Sequence, residues 1–318
     1  MYKVGIVGYG NLGRALELAA DKNSDISVEC IFTKRNPESV RTCGMPIYSF
    51  EAVEDFCSKL DCLIIAGGSA DDLPIQTPKL AEHFNVVDSY DSHDKIAEHK
   101  KRTGAAARKG KNTALISAGW DPGILSVARL YAKSFMPYAT VNTFWGKGVS
   151  QGHSEAIRTI RGVKYAIQYT VPNKDAELLA GYGIPFSAKG SHKRVCYVVA
   201  NEGEEERIKR EIVTMPLYFD GYETEVNFIS EEEFIKEHKK LYHRGRLISS
   251  GMTGKYLENR EALNLEIELD SNPQFTAYIL LASARAVCRM NREKNFGAYT
   301  FFDVPPKYFY PEGSLSLL

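Results

Sequence analysis

A chain of 318 residues exceeds what one hydrophobic core usually supports, since such cores stop growing near roughly 250 to 300 residues, so two domains are expected. Lys+Arg and Asp+Glu number 40 each, and the zero net charge excludes an overall field that would hold nucleic acid or an anionic membrane; charge recognition has to be local. Six cysteines form no CxxC pair and no histidine grouping at zinc-ligand spacing, so reduced thiols in a cytoplasmic, metal-free protein are the expectation.

Met1-Tyr2-Lys3 runs straight into an apolar strand soon broken by glycines, which reads as neither a signal peptide nor a membrane span. Residues 3–7, 26–32, 61–66, 85–88 and 113–118 have the character of strands, and the segments between several of them carry helical spacing, as at Leu12, Leu16, Ala19 and Ala20. That order predicts βαβ units around a buried parallel sheet, a doubly wound α/β domain over 1–120. At Gly119–Gly123 the chemistry turns to glycine and proline, and a helix is predicted over 124–135. From 139 onward the pattern becomes richer in β-branched and aromatic residues, with strands predicted at 139–145, 163–171, 194–200, 222–229, 246–250 and 263–269, and surface helices at 203–214 and 231–238. This describes a second, α+β domain over 121–272 with a mixed sheet. A long helix is predicted from Asn272-Pro273 to about 294, then a final apolar stretch from Tyr299 to Val304, and on grounds of architecture 273–318 is expected to pack back on the first domain.

Gly8-Tyr9-Gly10-Asn11-Leu12-Gly13 lies between the first strand and a helix, the setting in which GxGxxG binds a dinucleotide in a Rossmann-type fold. Gly8 permits the tight turn, Gly10 lets backbone approach the pyrophosphate, and Gly13 lets the helix pack close. At the end of the second strand, where an acid would select NAD, the chain reads Thr33-Lys34-Arg35. One hydroxyl and two cations with no carboxylate favour the 2′-phosphate of NADP, although such a pair also suits an ordinary solvated loop. Gly67-Gly68-Ser69 after the third strand extends the cradle on the same logic. Ligands of doubly wound sheets sit outside the strand carboxyl ends, which adds Ser89, Tyr90 and Asp91 after the fourth strand and Ala118, Gly119, Trp120, Asp121 and Pro122 after the fifth as cofactor-binding candidates. Asp91 and Asp121 are the two acids that fall there, and each also suits a helix N-cap.

With these segments the chain resembles the meso-diaminopimelate dehydrogenases over nearly its whole length. The resemblance is carried by Gly8–Arg14, Gly67-Gly68-Ser69-Ala70-Asp71, Gly119-Trp120-Asp121-Pro122-Gly123, Thr143-Phe144-Trp145-Gly146, Ser150-Gln151-Gly152-His153-Ser154, Gln168-Tyr169-Thr170, His192-Lys193-Arg194, Thr214-Met215-Pro216 and Asn272-Pro273-Gln274-Phe275-Thr276. It implies NADP-dependent, reversible oxidative deamination of meso-2,6-diaminopimelate at its D-centre, in lysine biosynthesis, by a homodimer joined through the second domain. The resemblance also implies that Asp91 and Asp121 face the D-centre ammonium with Trp145 as an apolar wall. Arg194, helped by Thr170, His243 and Asn272, would hold the distal L-centre, with Gln151 and Gly152 lining the channel between. From spacing alone Trp145 equally suits a core position and Arg194 a surface one. The family usually shows Met-Pro-His-Gly-Gly, whereas here Leu241-Tyr242-His243-Arg244-Gly245 stands among Lys239, Lys240 and Arg246. A related D-amino acid dehydrogenase of broader range is the alternative, and it would not need Arg194. His243→Ala should raise the KM for diaminopimelate more than that for NADP in steady-state assays; equal effects on both would reject the role implied for His243.

Overall fold

The computed structural model describes residues 1–136, 138–238 and 242–312, with Gln151 described in its backbone alone. Strands β1 (Tyr2–Val7), β2 (Ile26–Thr33), β3 (Ile47–Ser49), β4 (Cys62–Ile65), β5 (Val86–Asp88) and β6 (Thr113–Leu115) are interleaved with helices α1 (Asn11–Ala20), α2 (Leu73–Ala81) and α3 (Ile96–Gly110). Helix α4 (Ile124–Phe135) is followed by β7 (Thr140–Trp145), β8 (Gly148–Val149), α5 (Gln151–Arg158), β9 (Val163–Pro172), α6 (Lys174–Gly181), β10 (His192–Ala200) and α7 (Glu205–Val213). Then come β11 (Thr224–Phe228), α8 (Glu231–Glu237), β12 (His243–Thr253), β13 (Asn259–Leu269), α9 (Asn272–Arg292) and β14 (Gly297–Tyr299). The chain divides into two compact units, Met1–Val127 with the stretch from Pro273, and Ala128–Asn272.

In the first unit all seven strands are parallel, in the order β14-β6-β5-β4-β1-β2-β3. The order reverses at β1, which has β2 on one side and β4 on the other, so the ligand crevice of such a sheet falls at their carboxyl ends. Strands β4, β5 and β6 are buried at every position, and their sequences are accordingly short and dominated by apolar residues. Alternate residues feed two cores: Val4, Ile6 and Ile64 join Leu16 of α1 and Leu280 and Leu281 of α9, while Val7, Leu63 and Ile65 join Phe32 and Leu80. Strands β3 and β14 escape a reading by periodicity because three residues are too few to display one.

The second unit holds a mixed four-stranded sheet, β11-β10-β9-β8, in which β10 and β11 run parallel and the other pairs antiparallel. The remaining strands form a separate antiparallel sheet, β13-β12-β7. The mixed sheet is thus present but does not take every strand. Alternation along a strand says which face is buried and not which edge it pairs with, so this partition was invisible in the sequence. Helices α5 and α6 are also additions. Each has 8 residues, and α6 is started by Asn173, whose side chain accepts the Asp175 N–H at 3.0 Å.

Within the first unit, Arg285 of α9 is only 2% exposed and forks onto Asp25 at 2.5 and 2.6 Å, with further bonds to Asn23 Oδ1 at 3.1 Å and the Phe309 carbonyl at 2.7 Å. It ties the long helix to the turn before β2 and to the last described turn of the chain. Arg285→Ala strands the Asp25 carboxylate and should lower unfolding stability by about 3 to 5 kcal/mol, seen as a lower urea midpoint with little change in slope.

Candidate active site

The three glycines after β1 do three separate jobs. Gly8 has φ +97°, and a Cβ there would press on the Ala66 backbone; a Cβ on Gly13 would overlap the Gly8 carbonyl, so only glycine lets α1 start this close to the strand. A Cβ on Gly10 would meet nothing within 4 Å. That open space faces the start of α1, where Asn11 and Leu12 begin the first turn and no side chain caps the free N–H groups. An uncapped helix start with clear space before it fits a dinucleotide pyrophosphate.

The Arg35 guanidinium donates to the Tyr9 carbonyl at 2.5 Å, and the Arg35 N–H donates to Thr33 Oγ1 at 3.2 Å, which folds the end of β2 against the glycine turn. Lys34 is placed differently from the expectation of an acid-free site. Its Nζ lies 2.6 Å from Asp72 Oδ1, so a carboxylate 38 residues away in the chain stands beside the pair. Lys34 and then the Gly68 N–H hold the Asp72 carboxyl below its usual range. The pair is exposed and contributes little to stability, whereas Arg35 next to it has no acid partner among the described residues. The Asp72 side chain also fills the space that a Gly67 Cβ would need.

The loops carrying the two candidate catalytic acids are held by a residue that sequence reasoning passed over. Asp88, fully buried at the end of β5, accepts the N–H groups of Tyr90 at 3.1 Å and Ser117 at 2.9 Å through one oxygen, and its other oxygen lies 2.7 Å from His99 Nε2. Its carbonyl accepts the Ala118 N–H at 2.8 Å. Asp88, through its side chain and its carbonyl, therefore ties the turn at Tyr90 to the Ser117-Ala118 segment that leads into Gly119-Trp120-Asp121. Its only trace in the sequence is an acid closing an apolar run. Asp91 is exposed, its N–H donates to Ser69 Oγ at 2.9 Å, and the turn after it starts at Ser92 without a side-chain cap, so Asp91 is not a helix cap. Asp121 sits in a turn closed by Gly123, where any Cβ would overlap the Gly119 carbonyl, and the Ser126 hydroxyl lies 3.4 Å from its Oδ1. Pro122 follows it through a cis peptide bond.

In the second unit, Arg194 and Thr170 face each other across β10 and β9, and the guanidinium donates to Thr170 Oγ1 at 3.1 Å. Tyr222 lies beneath it, with Cζ 4.4 Å from the ring centre. Arg194 is half-buried rather than superficial; its Nε is buried with no hydrogen-bond partner, and no carboxylate pairs with it among the described residues. Burial pushes its pKa down. Burial and then the Arg194 charge push His192 down to about 4 and lower His153 as well. Neutral His192 accepts the Trp145 N–H through Nε2 at 2.7 Å, which leaves its proton on Nδ1, 2.8 Å from Ser191 Oγ. This bond joins the end of β7 to the start of β10 and sets the backbone of Trp145, which is half-buried and not a core residue. Gly152 lies in the first turn of α5 with open space where a Cβ would stand, His243 opens β12 opposite Leu269, and Asn272 opens α9. The Gln151 side chain, Lys239, Lys240 and Leu241 lie outside the described residues. The basic residues flanking His243 are matched by acids: Arg244 pairs with Glu266 and Glu268, and Arg246 with Glu177.

A parallel sheet with a glycine cradle at its switch point and acids on the neighbouring loops defines a nicotinamide-dinucleotide-dependent dehydrogenase. Residues 119–271 match the family described as the diaminopimelic acid dehydrogenase C-terminal domain. A meso-diaminopimelate D-dehydrogenase of Acetivibrio thermocellus is 46% identical over 99% of this chain and 96% of its own length. The C. glutamicum diaminopimelate dehydrogenase in complex with diaminopimelate superposes with a TM-score of 0.87 at 41% identity, over 99% of this chain and 98% of that one. An engineered D-amino acid dehydrogenase bound to NADP+ does so with a TM-score of 0.82 at 40% identity, over 99% and 98%. The chain belongs to the meso-diaminopimelate dehydrogenase family.

Because the folded His192 pKa is depressed from 6.5 to about 4, the native state binds fewer protons than the unfolded state between those values. The stability linked to this group is fully present above pH 6.5 and is lost as pH falls toward 4. His192→Gln keeps an acceptor for Trp145 but does not titrate, so its urea midpoint should fall less than wild type across that window; parallel curves would dismiss the neutral His192 bond.

Proposed function

We infer that this chain is an NADP-dependent dehydrogenase that reversibly converts meso-2,6-diaminopimelate to L-2-amino-6-oxopimelate and ammonium by oxidation at the D-centre. The observation that carries the reading is the Arg194 guanidinium, half-buried beside a hydroxyl and a ring with no acid partner among the described residues. A partly desolvated cation without a counter-charge is unfavourable, and a substrate carboxylate meeting it through two parallel hydrogen bonds would relieve that cost. The depressed pKa of His192 and His153 keeps both rings neutral around it, so the guanidinium stays the group that the anion meets.

When bound, NADP supplies the hydride acceptor. The protein's part is placement and charge. Asp91 and Asp121 hold the D-centre ammonium, and one of these carboxylates takes its proton, freeing the nitrogen lone pair that forms the C=N bond as hydride leaves carbon. Water then adds to that carbon and ammonium departs. Trp145, its backbone fixed by His192, supplies an apolar wall. Arg194, Thr170, His243 and Asn272 hold the L-centre, and Gln151 and Gly152 line the path between the two ends. A substrate with an ammonium and a carboxylate at each end needs both sets, because a single anchor cannot tell D from L.

The engineered D-amino acid dehydrogenase among the similar structures favours a second reading, a broader D-amino acid range. Absorbance at 340 nm with NADP decides between them: meso-diaminopimelate should outpace D-lysine and D-alanine, and equal rates would defeat the narrower substrate. Arg194→Lys keeps the charge but loses the planar fork, so the KM for meso-diaminopimelate should rise about 10- to 100-fold with the KM for NADP nearly unchanged. Family resemblance further leads us to propose a role in lysine biosynthesis, a cytoplasmic location and a homodimer formed through the second unit. No helix among the described residues is long and apolar enough to cross a membrane.

A further inference from the structure

Helix α1 carries an acid on its buried side. Glu17 is 5% exposed and has no cationic partner among the described residues, an unfavourable place for a carboxylate unless hydrogen bonds compensate. They do so from two directions. The Tyr9 hydroxyl donates to Glu17 Oε2, and the Met45 N–H donates to Oε1 at 3.0 Å, with the Cys43 N–H also directed at the carboxylate. Burial alone would raise the Glu17 pKa, but these donors outweigh it and keep the group ionised.

Each partner leads to the same place. Tyr9 is the middle residue of the first glycine turn, and its carbonyl accepts the Arg35 guanidinium at 2.5 Å. Cys43 and Met45 lie at the far end of the loop that begins with Lys34 and Arg35 and runs on to β3. That loop is otherwise held by local bonds such as Asn36 to Glu38 at 3.1 Å and Thr42 to the Met45 carbonyl at 2.8 Å, by the Ile31 N–H to the Pro46 carbonyl at 2.9 Å, and by Val40 and Met45 resting on the core. The Tyr9 hydroxyl is also 3.9 Å from Cys43 Sγ, so the glycine turn and the loop end meet at Glu17.

We propose that Glu17 is a positioning residue for NADP recognition: through Tyr9 and the Cys43–Met45 backbone it latches the loop after β2 onto the glycine turn, and so fixes Arg35 for the 2′-phosphate. The inference rests on reading Thr33–Arg35 as the 2′-phosphate loop. NAD lacks that phosphate and makes no demand on where Arg35 points. The latch therefore contributes to the choice between the two cofactors rather than to dinucleotide binding as such.

The test uses the full chain with Glu17→Ala, and with the milder Glu17→Gln in case the first does not fold. Two readouts are taken: hydrogen exchange at the 43–45 amides of the cofactor-free protein, and calorimetric Kd values for NADP and NAD. Exchange at 43–45 should speed up about tenfold or more, and the Kd for NADP should rise about tenfold, with that for NAD changing less than about twofold. Unchanged exchange, or equal losses for NADP and NAD, would overturn the proposal, the latter marking general damage to the fold. The exchange readout needs no cofactor. A wild-type chain that failed to bind NADP would count against the 2′-phosphate reading, while exchange alone would still decide whether Glu17 latches the loop.

Discussion

The carboxylate of Asp88 is the constraint on which the loops carrying Asp91 and Asp121 depend. It is wholly buried, and it accepts two backbone N–H groups from two different loops and faces a buried histidine. A carboxylate so placed is tolerable only when its lone pairs are satisfied, and satisfying them from Tyr90, Ser117 and His99 fixes the course of both acid-bearing loops. The geometry of Asp91 and Asp121 is thus set from beneath the surface that carries them.

Arg194 presents the opposite condition. Where Asp88 has its partners within the fold, Arg194 keeps a buried Nε without one and faces Thr170 and Tyr222. The contrast separates an ion whose partners lie within the fold from one that keeps an unpartnered donor. A buried donor left without a partner is unfavourable within a fold, and the proposed substrate carboxylate would satisfy it. His192 belongs with Arg194: burial and the neighbouring charge keep it neutral, and in that form it orders the Trp145 backbone.

Cofactor recognition combines both conditions. Glycine at three positions leaves a helix start open to an anion, and no side-chain cap holds those N–H groups among the described residues. Around this opening Lys34 pairs with Asp72 and the Tyr9 hydroxyl donates to Glu17, while Arg35 donates to the Tyr9 carbonyl and pairs with no acid among the described residues. On the proposed reading, selectivity for a phosphate depends on where one guanidinium is held more than on how many cations the loop contains.

The sequence by itself determined the class of fold, the nucleotide cradle and the family. Each is written in local signals: a glycine spacing between strand and helix, apolar runs sized for buried parallel strands, and motifs such as Trp120-Asp121-Pro122-Gly123 that stand contiguous in the chain. Only tertiary structure could decide the rest, because it depends on contacts between residues far apart in sequence. Asp72 reaches Lys34 across 38 residues, Asp88 gathers Ser117 from 29 away, and His192 meets Trp145 over 47. The division of the second unit into two sheets belongs here too, since a strand's alternation names its buried face and leaves its neighbour open. Whether a charged residue is paired within the fold is a property of three-dimensional neighbours, and the buried, unpartnered Nε of Arg194 separates it from the many arginines it resembles on paper.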